Sequence, residues 1–264
     1  MRNRYYKLRS KKIIGILHRK VASTFFVSNN LFDKVCIKCE SSELITKYKE
    51  WFKFTLVRNP VDRILSVYRD KVVKNPRNKV EKGDLSLQVC QKKIATGLNI
   101  EPSIKNFFNI SLDQFIANLY KFYLKDLHFS PYYLLAQENQ CDYIGKLENF
   151  NKVIEDLKKK GLNIKTNKKN NETSFQNIFK TCTLNQYLQI GKLYETDFKM
   201  FYPIIYHEMT NYIIQYKNGL NEKIVNNFTI LNVDKIEKID NSFLDLFINY
   251  NDEKYKDYLN KLII

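Results

Sequence analysis

The chain predicts an α/β fold in three layers, a central parallel sheet flanked by helices. Three observations carry it. A β-branched apolar run is followed by a polar turn and a helical pattern, and the same strand–turn–helix succession recurs downstream. The 264 residues are 44% apolar, enough to bury a sizeable core and too much for wholesale disorder. Sheets of this kind bind their ligands at the carboxyl ends of the strands, so the two turns are the places to look for chemistry.

The elements follow in order. "KKIIGIL" reads as a buried strand, closed by the polar turn "HRKVAST". The basic run ahead of it reads as a charged tip able to touch an acidic membrane face. "FFVSNNLFDKV" continues from the turn as a helix. "SSELITKYKEWF" opens with a helix N-terminal signature and has helical spacing. "FKFTLV" is the second strand, ended by Asn59 and by Pro60, a residue suited to the first helical position. In "VDRILSVYRDKVV", Val61, Ile64, Leu65, Tyr68 and Val72 share one helical face. "LSLQVCQKKIATGL" and "SLDQFIANLYKFYL" read as helices, "CDYIGKLE" as a strand, and "NFNKVIEDLKKKG" as a helix closed by Gly161. "NIKTNKKNNETS" is a Lys/Asn-rich loop, and "TLNQYLQIGKLYETDFKMFYPII" a longer helix stopped by Pro203. Residues 1–206 form one domain, and 207–264 a mainly helical extension packed on it.

An excess of 44 Lys+Arg over 28 Asp+Glu leaves a formal charge of +16. That charge draws an anionic partner: nucleic acid, an acidic membrane face, a nucleotide or an acidic glycan. The competing reading is that a Lys/Asn-rich composition, raising solvated surface lysine everywhere, accounts for most of it. The first twenty residues hold eight basic and no acidic side chains, whereas Leu231 onward holds seven acidic and five basic, so positive potential gathers at the N-terminal element. The longest N-terminal apolar run, "IIGIL", is too short for a signal or a span. Reduced thiols in a cytoplasm are the default for the five cysteines, and Cys36 and Cys39, a lone CxxC, give weak evidence for a metal; none is assigned.

In the first turn, backbone N–H groups at a helix start face outward with the helix dipole behind them. Arg19 and Lys20 add charge, Ala22 is small enough to let a phosphate approach the backbone, and Ser23 and Thr24 offer hydroxyls. The pattern serves the purpose of a P-loop without its second glycine or its Lys-Ser/Thr ending, which disfavours an Mg²⁺-dependent nucleotide hydrolase. In the second turn Arg58 can fork onto a phosphate, and Ser66 lies about two helical turns on. Each residue alone reads as ordinary surface. The pair, following a separate anion turn, reads as a second phosphate site.

"RKVASTFF" and "VRNPVDRILSVYRDK" resemble the two cofactor motifs of sulfotransferases, with the carbohydrate sulfotransferases (bacterial members and the chondroitin and dermatan enzymes) nearest in flavour. The first family motif runs Pro-Lys-x-Gly/Ala-Ser/Thr-Thr; Arg19 replaces the proline. The second, Arg-x-Pro-x-x-Arg-x-x-Ser-x-Tyr, is matched by Arg58, Pro60, Arg63, Ser66 and Tyr68. "DLHFSPYYLLAQENQCDYIGKLENF" resembles the family's His-Trp-x-Pro segment and Asp-Tyr-Ile-Gly-Lys-x-Glu, with Phe129 for the tryptophan. "LYETDFKMFYP" resembles its closing Tyr-x-x-Asp-Phe-x-x-Phe-x-Tyr. The resemblance covers roughly residues 11 to 206.

It implies a P-loop-like fold related to nucleotide kinases, and 3′-phosphoadenosine 5′-phosphosulfate (PAPS) as donor, without a metal. Arg19, Lys20, Val21, Ala22, Ser23 and Thr24 would hold the 5′-phosphosulfate, and Arg58 and Ser66 the 3′-phosphate. Lys20 would also stabilise the departing nucleotide, and a carbohydrate or glycoconjugate hydroxyl would accept the sulfuryl group. His128 is the favoured general base, with Glu138 or Glu148 as alternatives and His18 as a supporting group. Lys146 and Glu148 would shape the wall, Tyr132 and Tyr133 could stack on adenine or sugar, and Asp197 and Phe198 would serve the fold. A kinase-like phosphotransferase and a basic nucleic-acid-binding protein are the competing readings; the first would need a Walker glycine that is missing, the second a steeply salt-dependent affinity for any duplex. The enzyme is expected in a cytoplasm.

Overall fold

The computed structural model describes residues 5–28, 31–32, 36–37, 46–134, 141–164, 182, 184–207 and 209. The chain divides into two compact units, Met1–Glu172 and Thr173–Ile264. In the first unit, β1 (Tyr5–Leu8) turns back into β2 (Ile13–Ile16), which leads to α1 (Ser23–Ser28) and β3 (Cys36–Ile37). Then come β4 (Phe52–Val57) and α2 (Pro60–Tyr68), a wide π-helical turn over Arg69–Lys74, and α3 (Asn75–Glu81). Helices α4 (Val89–Leu98) and α5 (Leu112–Ala117) precede β5 (Tyr143–Lys146) and α6 (Phe150–Lys159).

The described strands form one mixed sheet in the order β3-β1-β2-β4-β5. Its heart is parallel: β2 pairs with β4 (Ile16 opposite Thr55) and β4 with β5 (Val57 opposite Lys146). The edge is antiparallel, because β1 is the hairpin partner of β2 and β3 pairs with β1. From Tyr5 the N-terminal basic run is a strand with Tyr5 fully buried, and Arg9, Lys11 and Lys12 are exposed at its hairpin turn. Burial of β4 from Lys53 onward fits a strand covered on both faces. Lys53 keeps its ammonium satisfied from the turn that precedes β4, donating to the Lys49 and Trp51 carbonyls at 3.2 and 3.3 Å.

Two glycines allow close approach. A Cβ on Gly15 would meet the Phe32 ring at 2.9 Å, and one on Gly145 would meet Leu56 and Val153 at 2.8 Å, so Gly145 lets α6 sit down on the sheet. Phe26, Phe54 and Phe150 fill the space between β4, α1 and α6. A second aromatic group, Phe115, Phe122 and Phe129, with Tyr68 against Phe115, lies beyond α2.

Helix α2 begins as its sequence predicts: the Asn59 side chain accepts from the Val61 N–H at 2.9 Å and Pro60 occupies the first turn. It is buried on more sides than one apolar stripe would require, since Asp62, Arg63 and Val67 are buried with the expected face. Arg63 is fully buried. Its guanidinium donates to the carbonyls of Ser130 at 2.7 Å and Phe129 at 3.4 Å and lies 4.1 Å from the Tyr132 ring. Arg63 thus ties the second turn's helix to the "HFSPYY" segment. Arg63→Ala is expected to cost about 3 kcal/mol, by leaving carbonyls unsatisfied and opening a cavity. Denaturant unfolding checks this, and Arg63→Lys, which cannot fork, should recover only part of the loss.

Gly161 closes the turn after α6 with φ at +97°, as expected. The Lys/Asn-rich loop lies outside the described residues from Lys165 on, as do residues 41–45 of "SSELITKYKEWF" and nearly all of residues 207–264. In the described remainder of that stretch Thr46 and Lys47 are helical, a turn follows, and Phe52 already belongs to β4. In the second unit the expected long helix is two, α7 (Leu184–Leu193) and α8 (Glu195–Phe201), interrupted at Tyr194. A further turn starts at Pro203, because proline ends a helix only when it falls inside one and is accepted at the first position of the next. Asp197 and Phe198 are fully buried in α8, as fold-serving residues should be.

Candidate active site

Because β2, β4 and β5 run parallel and in register, the turns that follow them leave from one edge of the sheet. The first turn, Leu17 to Ala22, joins β2 to α1. Lys20 and Ala22 have positive φ (66° and 58°) while Val21 between them does not. Alternating backbone handedness of this kind makes a concavity of N–H groups suited to an anion. Holding two non-glycine residues in the left-handed region costs roughly 1–3 kcal/mol each, strain that concentrates at ligand-binding turns. Val21 is buried, so only its backbone faces the turn; Arg19, Lys20, Ala22 and Ser23 are half-buried and Thr24 is exposed.

Lys20 Nζ is hydrogen-bonded to Asp70 Oδ2, and Lys71 Nζ lies 3.2 Å from the same oxygen. Burial lowers the Lys20 pKa more than Asp70 raises it, with Lys71 and Arg58 adding to the fall. Burial would raise Asp70, yet the two lysines outweigh it and hold the carboxyl below its ordinary value. Asp70 and Lys71 belong to the wide π-helical turn, a feature often found at functional sites. The carbonyl of Lys71 in that turn accepts from Gln91 Nε2 at 2.9 Å, which ties the turn to α4.

The second turn joins β4 to α2. Arg58 is nearly buried and lies 3.6 Å from Asp62. Burial is the main influence on Asp62 and pushes its carboxyl up to about 7, against the pull of Arg58. The Arg58–Asp62 ion pair is therefore weakened by the same burial that favours the protonated carboxyl. The Asn59 N–H donates to Glu148 Oε1 at 2.7 Å, so the glutamate following β5 fastens this turn. That bond makes Glu148 an anchor of the Arg58 turn. Ser66 is half-buried one turn before Asp70 on the same helical rod.

The "DLHFSPYY" segment brings the histidines in. His128 Nδ1 stands 2.6 Å from Asp126 Oδ1, and the His128 backbone N–H donates to the same oxygen at 3.0 Å. Asp126 also pairs with Lys93 at 3.2 Å. Burial tends to raise Asp126, but its bonds to His128 and Lys93 hold it well below the usual carboxylate range, so it is an acceptor. His128 Nδ1 must then carry the proton, and the lone pair is left on Nε2. Burial lowers His128 below its ordinary value despite Asp126, and Lys71 and Arg19 contribute to the fall, so the ring is neutral near pH 7.

His18 is different. It is buried, its Nδ1 accepts from the Arg19 N–H at 3.0 Å, and its ring meets Tyr132 edge-on at 5.0 Å. Burial, with Arg63 and His128 nearby, pushes it well below the ordinary histidine value. It shapes the first turn as a neutral residue. Tyr132 is likewise buried against Arg63, so its ring is part of the support and not a stacking platform. Lys146 is exposed at the end of β5, and Glu138 lies outside the described residues. Sequence reading missed Asp70, Lys71 and Asp126; the Asp-x-His spacing of Asp126 and His128 was the one available signal.

The chain matches the model of the sulfotransferase family over residues 3–203. It belongs to the sulfotransferase family. Sulfuryl transfer is therefore its class of chemistry, and the mixed sheet with its parallel heart is the α/β scaffold of this sulfotransferase. Comparison with curated proteins and with solved structures gave no match. Among the described residues of this family member, no helix is long and apolar enough to cross a membrane.

Proposed function

We propose that this sulfotransferase moves the sulfuryl group of PAPS to a hydroxyl of a carbohydrate acceptor, without a catalytic metal. The observation that carries the donor is the placement of Lys20 and Arg58 on two turns leaving the same edge of adjacent parallel strands. One turn has the backbone handedness of an anion cradle, and the other a nearly buried arginine that can fork onto a phosphate. These groups fit a nucleotide bearing two separate anions. The carbohydrate acceptor is supported by the likeness of both turns and of the "DLHFSPYY" and "DYIGKLE" stretches to carbohydrate sulfotransferases. Among the described residues, Cys90 and Cys141 are in no disulfide, which agrees with a reducing cytoplasm.

Bound PAPS supplies an activated sulfuryl group on a phosphate leaving group. The Arg19–Thr24 turn holds the 5′-phosphosulfate through backbone N–H groups and hydroxyls, and Arg58 and Ser66 hold the 3′-phosphate. His128 Nε2 takes the acceptor's proton while Asp126 holds the ring and stabilises the imidazolium that forms. Lys20 places positive charge where the leaving oxygen becomes negative. Asp70 holds Lys20 at that position. Asp70→Asn is expected to lower kcat about tenfold without raising KM for PAPS, because it frees a cation and loses its aim; steady-state kinetics with varied donor read the split. The proposal as a whole is tested by offering PAPS with a panel of hydroxylated sugars and following adenosine 3′,5′-bisphosphate release. Product release on a sugar supports it. Transfer only to phenols or amines would remove the carbohydrate.

A further inference from the structure

One cluster in the first unit combines three kinds of metal donor. Cys90 on α4 and Asp126 and His128 on the segment after Phe122 offer ligand atoms that all lie within 4.8 Å of one another. The thiol is buried, and the carboxylate and imidazole are half-buried, so the group forms a recess of the site and not a surface scatter. A thiolate, an imidazole nitrogen and a carboxylate oxygen are the donors that zinc prefers, at about 2.3 Å for sulfur and about 2.0–2.2 Å for nitrogen and oxygen. With those bond lengths, ligand atoms around a tetrahedral ion lie roughly 3.3–3.8 Å apart, so a group already within 4.8 Å closes on a cation with small side-chain movements.

We propose that Cys90, Asp126 and His128 form an inhibitory site for a zinc-like divalent cation, with water as the fourth ligand. Binding converts the Cys90 thiol to thiolate and releases one proton to solvent. If the cation takes His128 Nδ1, the ring proton moves from Nδ1 to Nε2 and coordination replaces the bond to Asp126; if it takes Nε2, Nδ1–H keeps that bond. The cation occupies His128 or holds its remaining nitrogen as N–H, so the ring no longer accepts a proton. Lys93, 3.2 Å from Asp126, and the nearby Lys71 and Arg19 oppose a cation. They set the site toward reversible, regulatory affinity and away from a permanent structural metal. Inhibition rests on the reading of His128 as base; cation binding does not.

Cobalt(II) and zinc(II) salts are the probes. Cobalt added to the full chain should give an intense near-ultraviolet thiolate band that Cys90→Ala and Cys90→Ser both lose. Zinc should inhibit the wild type, and both variants should keep basal turnover while needing at least about tenfold more zinc for the same inhibition. X-ray absorption of the zinc-loaded wild type should show one sulfur ligand. Two sulfurs would assign the cation to Cys36 and Cys39 and overturn the site, as would a cobalt band undiminished in both variants. A cobalt band lost in the variants without any zinc inhibition would keep the binding site and remove the regulatory role of His128.

Discussion

Arg58→Ala is expected to weaken binding of adenosine 3′,5′-bisphosphate about 100-fold while leaving adenosine 5′-phosphate nearly unchanged. The guanidinium sits at the end of β4, nearly buried, and a forked pair of charge-assisted bonds to a phosphate is worth about 3 kcal/mol. That energy corresponds to roughly two decades in affinity. The effect should be confined to ligands with a 3′-phosphate, because the Lys20 turn is a separate structure on β2. Titration calorimetry of both nucleotides on both proteins reads the difference. Equal losses for the two ligands would mean that Arg58 supports the fold of the edge and does not read the 3′ position. The neighbouring Asp62 adds a check on pH. Its carboxyl, raised to about 7 by burial, ionises as pH rises through that value and then competes for Arg58. Bisphosphate affinity should therefore fall modestly between pH 6 and pH 8 by that route.

His128→Ala should lower kcat by about 10²–10⁴-fold with little change in KM for PAPS, as expected for loss of a general base. The pH profile distinguishes this from a packing defect. The base works in its neutral form, and His128 lies below the ordinary histidine value, so activity should persist below pH 6.5 and fall only as the ring protonates. Asp126→Asn removes the interaction that raises His128, so the acid limb should move to still lower pH while kcat drops through loss of the Nδ1–H tautomer and ring orientation. An acid limb that stays where it was would remove the dyad from the mechanism. A wild-type kcat retained by His128→Ala would do the same.

The parts of this arrangement legible in the sequence are those written in local chemistry. Two apolar runs ending in polar turns locate β2 and β4. Asn59 and Pro60 announce the start of α2, and Gly161 its counterpart after α6. Parallel order then puts both turns on one edge, so Lys20 and Arg58 could be named as partners before any geometry. What was not legible depends on contacts made across the fold. Strand β1 is hidden because its hairpin turn uses Lys12 at φ +51° where glycine or asparagine would have signalled it. Arg63 is only a motif position in the sequence, and burial makes it a brace for Ser130 and Phe129. Asp70 looks like a surface acid following Arg69, and the wide π-helical turn carries it to Lys20. No local pattern marks such a turn; it is fixed by Gln91 from α4. The lone CxxC of Cys36 and Cys39 is weak evidence for a metal, whereas the donor cluster among the described residues is spread over distant positions that only folding brings together.

The central claim is that two separate anion turns on adjacent strands read a 3′-phosphorylated nucleotide. Isothermal titration of the wild type with adenosine 3′,5′-bisphosphate, in parallel with ATP–Mg²⁺, tests it most directly. The account predicts tight bisphosphate binding and weak ATP binding. Equal or tighter binding of ATP–Mg²⁺ would contradict it.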